Sequence, residues 1–150
     1  MKVYISAPLA QSFKNENSEE LIKLVNSIDL ILKEFKIDTY MTYRDLLRWG
    51  KVTYNPITVH AKRNKEFQTA DILLAVHPDE GIGPNITLGM AEAFKKPVII
   101  VLNKNFDMDS LPGLIYQGFK EVTQCEIITY ENIDELRKKL RKSIKTFLKK

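Results

Sequence analysis

Short apolar runs alternate with helical patterns along the whole chain. Runs of β-branched and aromatic residues predict strands over 2–8, 38–43, 71–77, 97–103 and 126–130. Between the first two strands, apolar side chains recur at spacings of three and four from Ser18 onwards, namely Leu21, Val25, Ile28, Leu32 and Phe35. This spacing predicts an amphipathic helix with Ser18 at its N-terminus.

Four more helices follow from the same periodicity. They are predicted over 58–70, over 86–96, from 110 to 119 with a proline near the first turn, and after Asn132. Glu135 stands three residues after Asn132, which is the spacing of a capping box. Residues 44–57 show the weakest pattern and are predicted to form a short helix and a loop.

Strands that alternate with helices predict an α/β fold. The expected architecture is a flavodoxin-like three-layer sandwich, with a five-stranded parallel sheet in the order 2-1-3-4-5, formed by one domain over residues 1–150. Ligands of such sheets bind outside the carboxyl ends of the strands, where the strand order reverses. The segments "SAPLA", "HPDEGIGPN" and "NKNFDMD" are therefore expected around one crevice.

The composition is that of a soluble globular protein, with 44% hydrophobic and 28% charged residues. No apolar run approaches the roughly 20 residues of a membrane span. The N-terminal segment "MKVYISAPLA" lacks the apolar stretch of a signal peptide, so a cytoplasmic location is expected. Cys125 is the only cysteine, which excludes an intramolecular disulfide and a cysteine-rich metal site.

The net charge of +4 is concentrated at the C-terminus. Residues 137–150 hold eight Lys or Arg and no acid, which leaves 15 basic and 19 acidic residues elsewhere, a net of −4. This mildly acidic body does not favour nucleic-acid binding. The last helix is predicted to dock through its apolar stripe and to present its basic face to solvent, with contact to a membrane surface or nucleic acid as the alternative.

Gly81 and Gly83 form the strongest local feature. Glycines let the backbone approach a ligand closely, and the N–H groups that open the following helix form an anion site. Asn85 and Thr87 would then lie in the first turn, where their side chains can bind a sugar or phosphate. In the alternative interpretation, the glycines only turn the chain and Asn85 only caps the helix. Gly89 is predicted to allow close packing of this helix on a strand.

Several charged side chains near the expected crevice are candidates for chemistry. Asp79 and Glu80 follow the third strand, and carboxylates suit the cleavage of an N-glycosidic bond, although loop acids are often only solvated. Arg44 follows the second strand and can pair with a phosphate, although a surface turn is the alternative. His77 ends the third strand and can line the crevice.

Three segments carry a resemblance to a known family. "KVYISAPL", "TADILLAVHPDEGIGPNITLGMAEAFKKPVIIV" and "GLIYQGFKEV" are similar to the nucleoside 2-deoxyribosyltransferase family, which also contains nucleotide N-hydrolases. The resemblance implies a flavodoxin-like fold, a nucleoside or nucleotide substrate, and no metal or organic cofactor. It also implies a homodimer or larger assembly in which a neighbour completes each site.

The resemblance assigns expected roles to individual residues. Tyr4 matches the active-site tyrosine of the family, and Ser6, Ala7 and Pro8 match the loop that meets the sugar or its phosphate. Gly83 matches the first glycine of the family's motif at the start of this helix. Each of these positions is therefore expected to lie in the substrate site.

Other positions depart from the family pattern. Thr87 stands where the nucleophilic glutamate is expected, and threonine is a poor substitute for a carboxylate. Arg63 stands where the family has an aspartate, and Gly113 or Pro112 where it donates a polar residue to the partner's site. Either the chemistry has moved to Asp79, Glu80 or another acid, or it uses water without a covalent intermediate, or it is lost; Tyr4 and Thr87 complete the set of catalytic candidates.

Three hypotheses follow for the function. The first is an enzyme that acts on the N-glycosidic bond of a nucleoside or nucleotide, by hydrolysis or base exchange. Hydrolysis is favoured because exchange requires a covalent sugar–enzyme intermediate. The second is a nucleotide-binding module without catalysis, and the third is another activity on the same sheet, such as a different transferase or a flavin protein.

Overall fold

The computed structural model describes residues 1–9 and 18–149. Its centre is a sheet of five parallel strands in the order β2-β1-β3-β4-β5. The strands are β1 (Lys2–Ser6), β2 (Asp38–Tyr40), β3 (Ile72–Val76), β4 (Val98–Asn103) and β5 (Cys125–Tyr130). The predicted flavodoxin-like order is therefore confirmed.

Helices cover both faces of this sheet. On one face lie α1 (Ser18–Glu34) and α5 (Ile133–Leu148), and on the other lie α2 (Pro56–Thr69), α3 (Ile82–Ala93) and α4 (Leu111–Val122). All five residues of β3 are buried, as expected for a central strand of a parallel sheet covered on both sides. Two separate apolar cores result, one on each side of the sheet.

The alternation of side chains along β1 decides which residues can reach a site on each face. Val3 and Ile5 pack into the core under α1 and α5, whereas Tyr4 packs into the core under α2, α3 and α4. The Tyr4 ring lies with its centroid 5.8 Å from that of Tyr40 and 5.5 Å from that of Phe67. Tyr4 is therefore held rigidly on the face that carries α3.

The predicted docking of the last helix is confirmed. Asn132 caps α5 by accepting a hydrogen bond from the Glu135 N–H at 3.0 Å, and the Glu135 carboxylate accepts from the Glu131 N–H rather than from that of Asn132. Arg141 pairs with Glu34 of α1 through two N···O distances of 2.9 Å. The buried stripe comprises Leu136, Leu140, Ser143, Ile144 and Phe147.

The second strand is shorter than predicted. The sequence predicts a strand over 38–43, but β2 ends at Tyr40 and residues Thr42–Leu46 form a π-helical turn. The carboxylate of Asp45 accepts a hydrogen bond from the Met41 N–H at 2.7 Å. This contact holds the turn that follows the strand.

The helix after β3 begins four residues earlier than predicted. It starts at Ile82, with Gly81 in an extended conformation before it, so that Gly83 belongs to the first turn rather than to a loop. Pro84 fits there because the first N–H groups of a helix need no intrahelical acceptor. The packing role predicted for Gly89 is wrong, because Gly89 is exposed and a Cβ on it would meet no atom within 4 Å.

Within residues 1–9 and 18–149, no helix has the length and apolar character needed to cross a membrane.

Two glycines of α4 provide a stability test with an internal control. Gly113 is buried, and a Cβ on it would clash with the carbonyl group of Met108, whereas a Cβ on the exposed Gly118 would enter open space. We expect Gly113→Ala to destabilise the fold by about 1–3 kcal/mol through overpacking. Gly118→Ala should instead stabilise it by about 0.5–1 kcal/mol, because alanine is the better helix former.

Urea denaturation of both variants measures these changes in the free energy of unfolding. Equal effects of the two substitutions would contradict the clash at Gly113.

Candidate functional site

A cavity lies at the point where the strand order reverses, between the carboxyl ends of β1 and β3. We call it the β1–β3 cavity; its volume is about 200 Å³. Its lining combines hydroxyl groups, a tyrosine, an arginine and backbone from the start of α3, and consists of Tyr4, Ile5, Ser6, Ala7, Met41, Thr42, Tyr43, Leu47, Arg63, Gly83 and Thr87. This is where ligands bind in open α/β sheets.

Ser6 and Thr87 join two elements at the floor of this cavity. The Thr87 hydroxyl lies 2.9 Å from the Ser6 hydroxyl and 2.8 Å from the carbonyl oxygen of Pro84. Because a hydroxyl has one proton, Thr87 donates to one of these acceptors at a time, and Ser6 can donate in return. Both side chains are buried, with 8% and 2% of their surface exposed. Thr87 therefore positions Ser6 and does not present a free nucleophile.

Tyr4 places its hydroxyl in the cavity. The Tyr4 and Thr42 hydroxyl oxygens are 2.8 Å apart. Burial raises the pKa of the Tyr4 hydroxyl above its usual value of 10.0, and the nearby charge of Arg63 opposes this shift without cancelling it. Tyr4 thus keeps its proton at neutral pH and can both donate and accept a hydrogen bond.

The segment around Gly81 is held by Asn85. The Asn85 amide donates to the carbonyl oxygens of Pro78 at 2.7 Å and Gly81 at 3.0 Å. Both N–H groups of this side chain are therefore engaged with the turn before α3. Gly83 lines the cavity and has open space where a Cβ would lie, so a ligand can approach the backbone there.

Asp79 and Glu80 do not line the β1–β3 cavity. They form a 3₁₀ turn with Pro78, and both are exposed. The negative charge of Asp79 contributes to the raised pKa of Tyr116, and that of Glu80 contributes to the raised pKa of Tyr130. The structure therefore separates these two acids from Tyr4, Ser6 and Thr87.

Glu80 belongs to a second cavity, of about 480 Å³, on the face that carries α1 and α5. We call it the β3–β5 cavity. His77 lies between two partners there, with Nδ1 3.3 Å from Glu80 Oε1 and Nε2 2.8 Å from the Tyr130 hydroxyl oxygen. The His77 backbone is left-handed at φ 43°, which costs a non-glycine residue about 1–3 kcal/mol. His77 thus lines a crevice, as predicted, but a different one from Tyr4.

Arg44 also lies outside the β1–β3 cavity. Its guanidinium contacts Asp29 at 2.8 Å and Asp45 at 2.7 Å and donates to the hydroxyl of Thr39 at 3.1 Å. These contacts tie the π-helical turn to α1, which leaves Arg44 a structural role. Pro8 is buried directly after β1 and is not part of the cavity lining, whereas Ala7 is.

Arg63 and Thr42 are two polar lining residues that local sequence reasoning did not identify as site residues. Arg63 lies on α2, and its guanidinium contacts the Met90 sulfur at 2.7 Å. The signal was the departure from the family pattern, since Arg63 occupies the position of an expected active-site aspartate. Thr42 gave no signal because the segment was predicted to be a strand.

In the described part of the chain, no three His, Cys, Asp or Glu side chains come close enough together to hold a metal ion.

Structure comparison finds this architecture in several solved proteins. The CMP N-glycosidase BcmB of Clostridium botulinum superposes with a TM-score of 0.69 at 19% identity, over 95% of this chain and 99% of that one. BlsM superposes with a TM-score of 0.74 at 18% identity, over 97% and 90%. A 2-deoxyribosyltransferase of Bacillus psychrosaccharolyticus superposes with a TM-score of 0.56 at 13% identity, over 91% and 90%.

Sequence comparison, unlike structure comparison, finds no match. No family model matches the chain, and no curated protein sequence matches it significantly. The resemblance to the nucleoside 2-deoxyribosyltransferase-like fold, expected from the sequence, is confirmed at the level of the fold.

The Arg44 cluster predicts an acid-sensitive contribution to stability. Burial acts to raise the pKa of Asp29, but hydrogen bonds from Lys33 and Thr39 and the charge of Arg44 outweigh it and hold that pKa below its usual value of 3.8. A carboxyl group with a depressed folded-state pKa stabilises the fold above its unfolded-state pKa, and this contribution is lost as the pH falls through the folded-state value. We therefore expect Asp29→Asn to destabilise the protein at neutral pH.

Urea denaturation over a pH series tests this. The difference between the native protein and Asp29→Asn should shrink as the pH falls below 3.8. A difference that stays constant with pH would exclude a charged Asp29 as its source.

Proposed function

We propose that this protein is an enzyme that hydrolyses the N-glycosidic bond of a nucleoside or nucleotide. The observation that carries the proposal is the β1–β3 cavity, in which Tyr4, Ser6 and Thr87 meet the start of α3 at the reversal of strand order. The similar structures named as a CMP N-glycosidase and a 2-deoxyribosyltransferase support the same class of substrate.

The residues of the cavity fit the two ends of such a substrate. The first turn of α3, with Gly83 exposed in it, offers backbone N–H groups and the positive end of a helix dipole to a phosphate. Ser6 is fixed beside it by Thr87 and can bind a sugar hydroxyl. Tyr4, which keeps its proton, can hold a water molecule against the sugar carbon.

Hydrolysis agrees better with this cavity than base exchange does. Exchange requires an enzyme nucleophile that forms a covalent bond to the sugar. The described residues that line the β1–β3 cavity include no carboxylate, and the Thr87 oxygen is buried and hydrogen-bonded. In the proposed reaction, water attacks the sugar carbon, the carbon–nitrogen bond breaks, and its electron pair leaves with the base. The water proton passes to solvent or to the base.

The first test measures base release. The purified protein is incubated with ribo- and deoxyribonucleosides and their 5′-monophosphates, with and without a free acceptor base, and products are separated by chromatography. Free base and sugar are the expected products in both conditions. New nucleosides that form only with the acceptor would demonstrate exchange, and no change in any substrate would favour the alternative, a nucleotide-binding module without catalysis.

Two tyrosine variants then locate the reaction. Tyr4→Phe keeps the ring packing against Tyr40 and Phe67 but removes the hydroxyl, so we expect kcat to fall about 10²-fold. Tyr130→Phe is the matched control, because its hydroxyl lies in the β3–β5 cavity beside His77 and Glu80. Loss of activity in Tyr130→Phe but not in Tyr4→Phe would move the reaction to the second cavity and revive Glu80 as the acid.

We also propose that the protein forms a homodimer through α3 and α4. These helices share one layer and expose six large apolar side chains, each about half or more accessible, namely Ile82, Ile86, Leu111, Leu114, Ile115 and Val122. Contiguous apolar patches of this kind mark interaction sites. An interface there lies next to the first turn of α3, so that a partner would approach the β1–β3 cavity.

Light scattering after size exclusion tests the interface. The double variant Ile86→Lys with Leu114→Lys should be monomeric, because two charges would be buried against the same face of the partner. Leu30→Lys is the control, since Leu30 is 60% exposed on α1, on the opposite face of the sheet. A native protein that is already monomeric, or a double variant that remains a dimer, would exclude this interface.

A further inference from the structure

Arg63 is a cation of the β1–β3 cavity that lacks a matching anion. Its hydrogen bonds to described residues go to uncharged groups, the Met90 sulfur and the Tyr4 hydroxyl oxygen, and its Nε atom is buried without a hydrogen-bond partner. No carboxylate of residues 1–9 or 18–149 forms an ion pair with it. Arg44, by contrast, is paired with Asp29 and Asp45.

Such an arrangement is costly for the free protein. A thioether is a weak acceptor, and a partly buried guanidinium with an unsatisfied N–H loses part of its hydration without compensation. The cost is recovered when a ligand in the cavity brings an acceptor or a negative charge to Arg63. Because the guanidinium lines the cavity together with Tyr4, Ser6 and Thr87, that ligand group belongs to the substrate itself.

Cleavage of an N-glycosidic bond creates such a charge. When the carbon–nitrogen bond breaks, its electron pair remains on the nitrogen of the base. The base then departs either as a neutral molecule, after an acid has protonated its ring, or as an anion. A guanidinium cannot deliver a proton, because it stays protonated in proteins, but it stabilises a developing anion through charge-assisted hydrogen bonds.

The rest of the lining agrees with departure as an anion. The lining residues within 1–9 and 18–149 include no carboxyl group that could serve as an acid. The tyrosine hydroxyl of the lining, kept protonated by burial, adds a second hydrogen-bond donor in the neighbourhood of Arg63. The site thus offers donors to a negative charge and no strong acid to a basic ring nitrogen.

We propose that Arg63 stabilises the departing base as an anion, and that the substrates are nucleosides or nucleotides of bases with an acidic ring N–H, such as uracil, thymine, hypoxanthine or xanthine. This inference rests on the proposed hydrolysis. Water attacks the sugar carbon, the bond to the base breaks, and the base anion pairs with Arg63. The proton released by the water then neutralises the base anion or enters solvent. Adenine and cytosine, which leave readily only after protonation, are poor substrates.

Four nucleotides test the proposal in matched pairs. UMP and CMP share a sugar phosphate and differ at one ring position of the base, as do IMP and AMP, and each is supplied with ribose and with deoxyribose. CMP is also the substrate named for one of the similar structures. We expect kcat/KM to be at least about 10-fold higher for UMP than for CMP and for IMP than for AMP, since a factor of ten corresponds to a modest difference in transition-state stabilisation.

Variants of Arg63 test whether this residue acts on the leaving base or on the sugar and phosphate that the substrates share. Arg63→Met should lower kcat/KM for UMP and IMP about 10²-fold, the effect of losing one donor to a developing anion, and should change CMP and AMP little. Arg63→Lys should retain part of the preference because it keeps the charge. Arg48→Met is the control, since Arg48 is exposed and is not part of the cavity lining.

The outcomes separate this inference from the proposed function. Release of base from none of the substrates would refute the hydrolysis itself. A preference for CMP and AMP would overturn only the role of Arg63. An equal loss of kcat/KM for all four nucleotides in Arg63→Met would also overturn that role, because it would assign Arg63 to the sugar or phosphate. Melting temperatures of the variants exclude unfolding as the cause of a loss.

Discussion

The contact between Ser6 and Thr87 joins the two elements on which the site depends. Ser6 ends β1 and Thr87 lies in the second turn of α3, so their hydroxyls connect a strand and a helix through residues that are 81 positions apart in the sequence. The helices that follow the paired strands β1 and β3, namely α1 and α3, cover opposite faces of the sheet, so the chain leaves these two strands in opposite directions and a crevice opens between them. The hydrogen bond lies at the bottom of that crevice and fixes the position of α3 relative to β1. Tyr4, two residues before Ser6, then faces the same space.

Much of the fold follows from local pattern, because each strand is short, apolar and bounded by polar residues. The central strand is the clearest case, since all of Ile72–Val76 is buried and the sequence there is uninterrupted by polar residues. The two errors of element assignment have side-chain causes. Asp45 holds the π-helical turn after β2 by accepting a hydrogen bond from the Met41 N–H, and Asn85 holds the turn before Ile82, so that the helix includes the glycine and proline that were predicted to lie outside it. Neither effect appears in hydrophobic periodicity.

The site was less predictable than the fold. Family resemblance placed Tyr4, Ser6, Ala7, Gly83 and Thr87 together, and the structure brings these residues to one cavity. The acids chosen for their chemistry, Asp79 and Glu80, point elsewhere because a 3₁₀ turn and the left-handed His77 redirect the chain after β3. Local sequence carries no information on the direction of a side chain in such a turn. Arg44 also lies outside this cavity, because it pairs with Asp29 on a helix that is distant in the sequence.

Thr87 and Arg63, two of the departures from the family pattern, can be explained together. A carboxylate at position 87 and a guanidinium at position 63 would share a cavity of about 200 Å³, where opposite charges attract strongly and tend to neutralise each other. An acid paired in this way would be a weaker nucleophile, and the arginine would lose its free N–H groups to it. With threonine at 87, Arg63 keeps its donors for the ligand and Ser6 keeps a neutral neighbour. The loss of the carboxylate therefore favours a site that stabilises negative charge on its substrate, in place of one that attacks it.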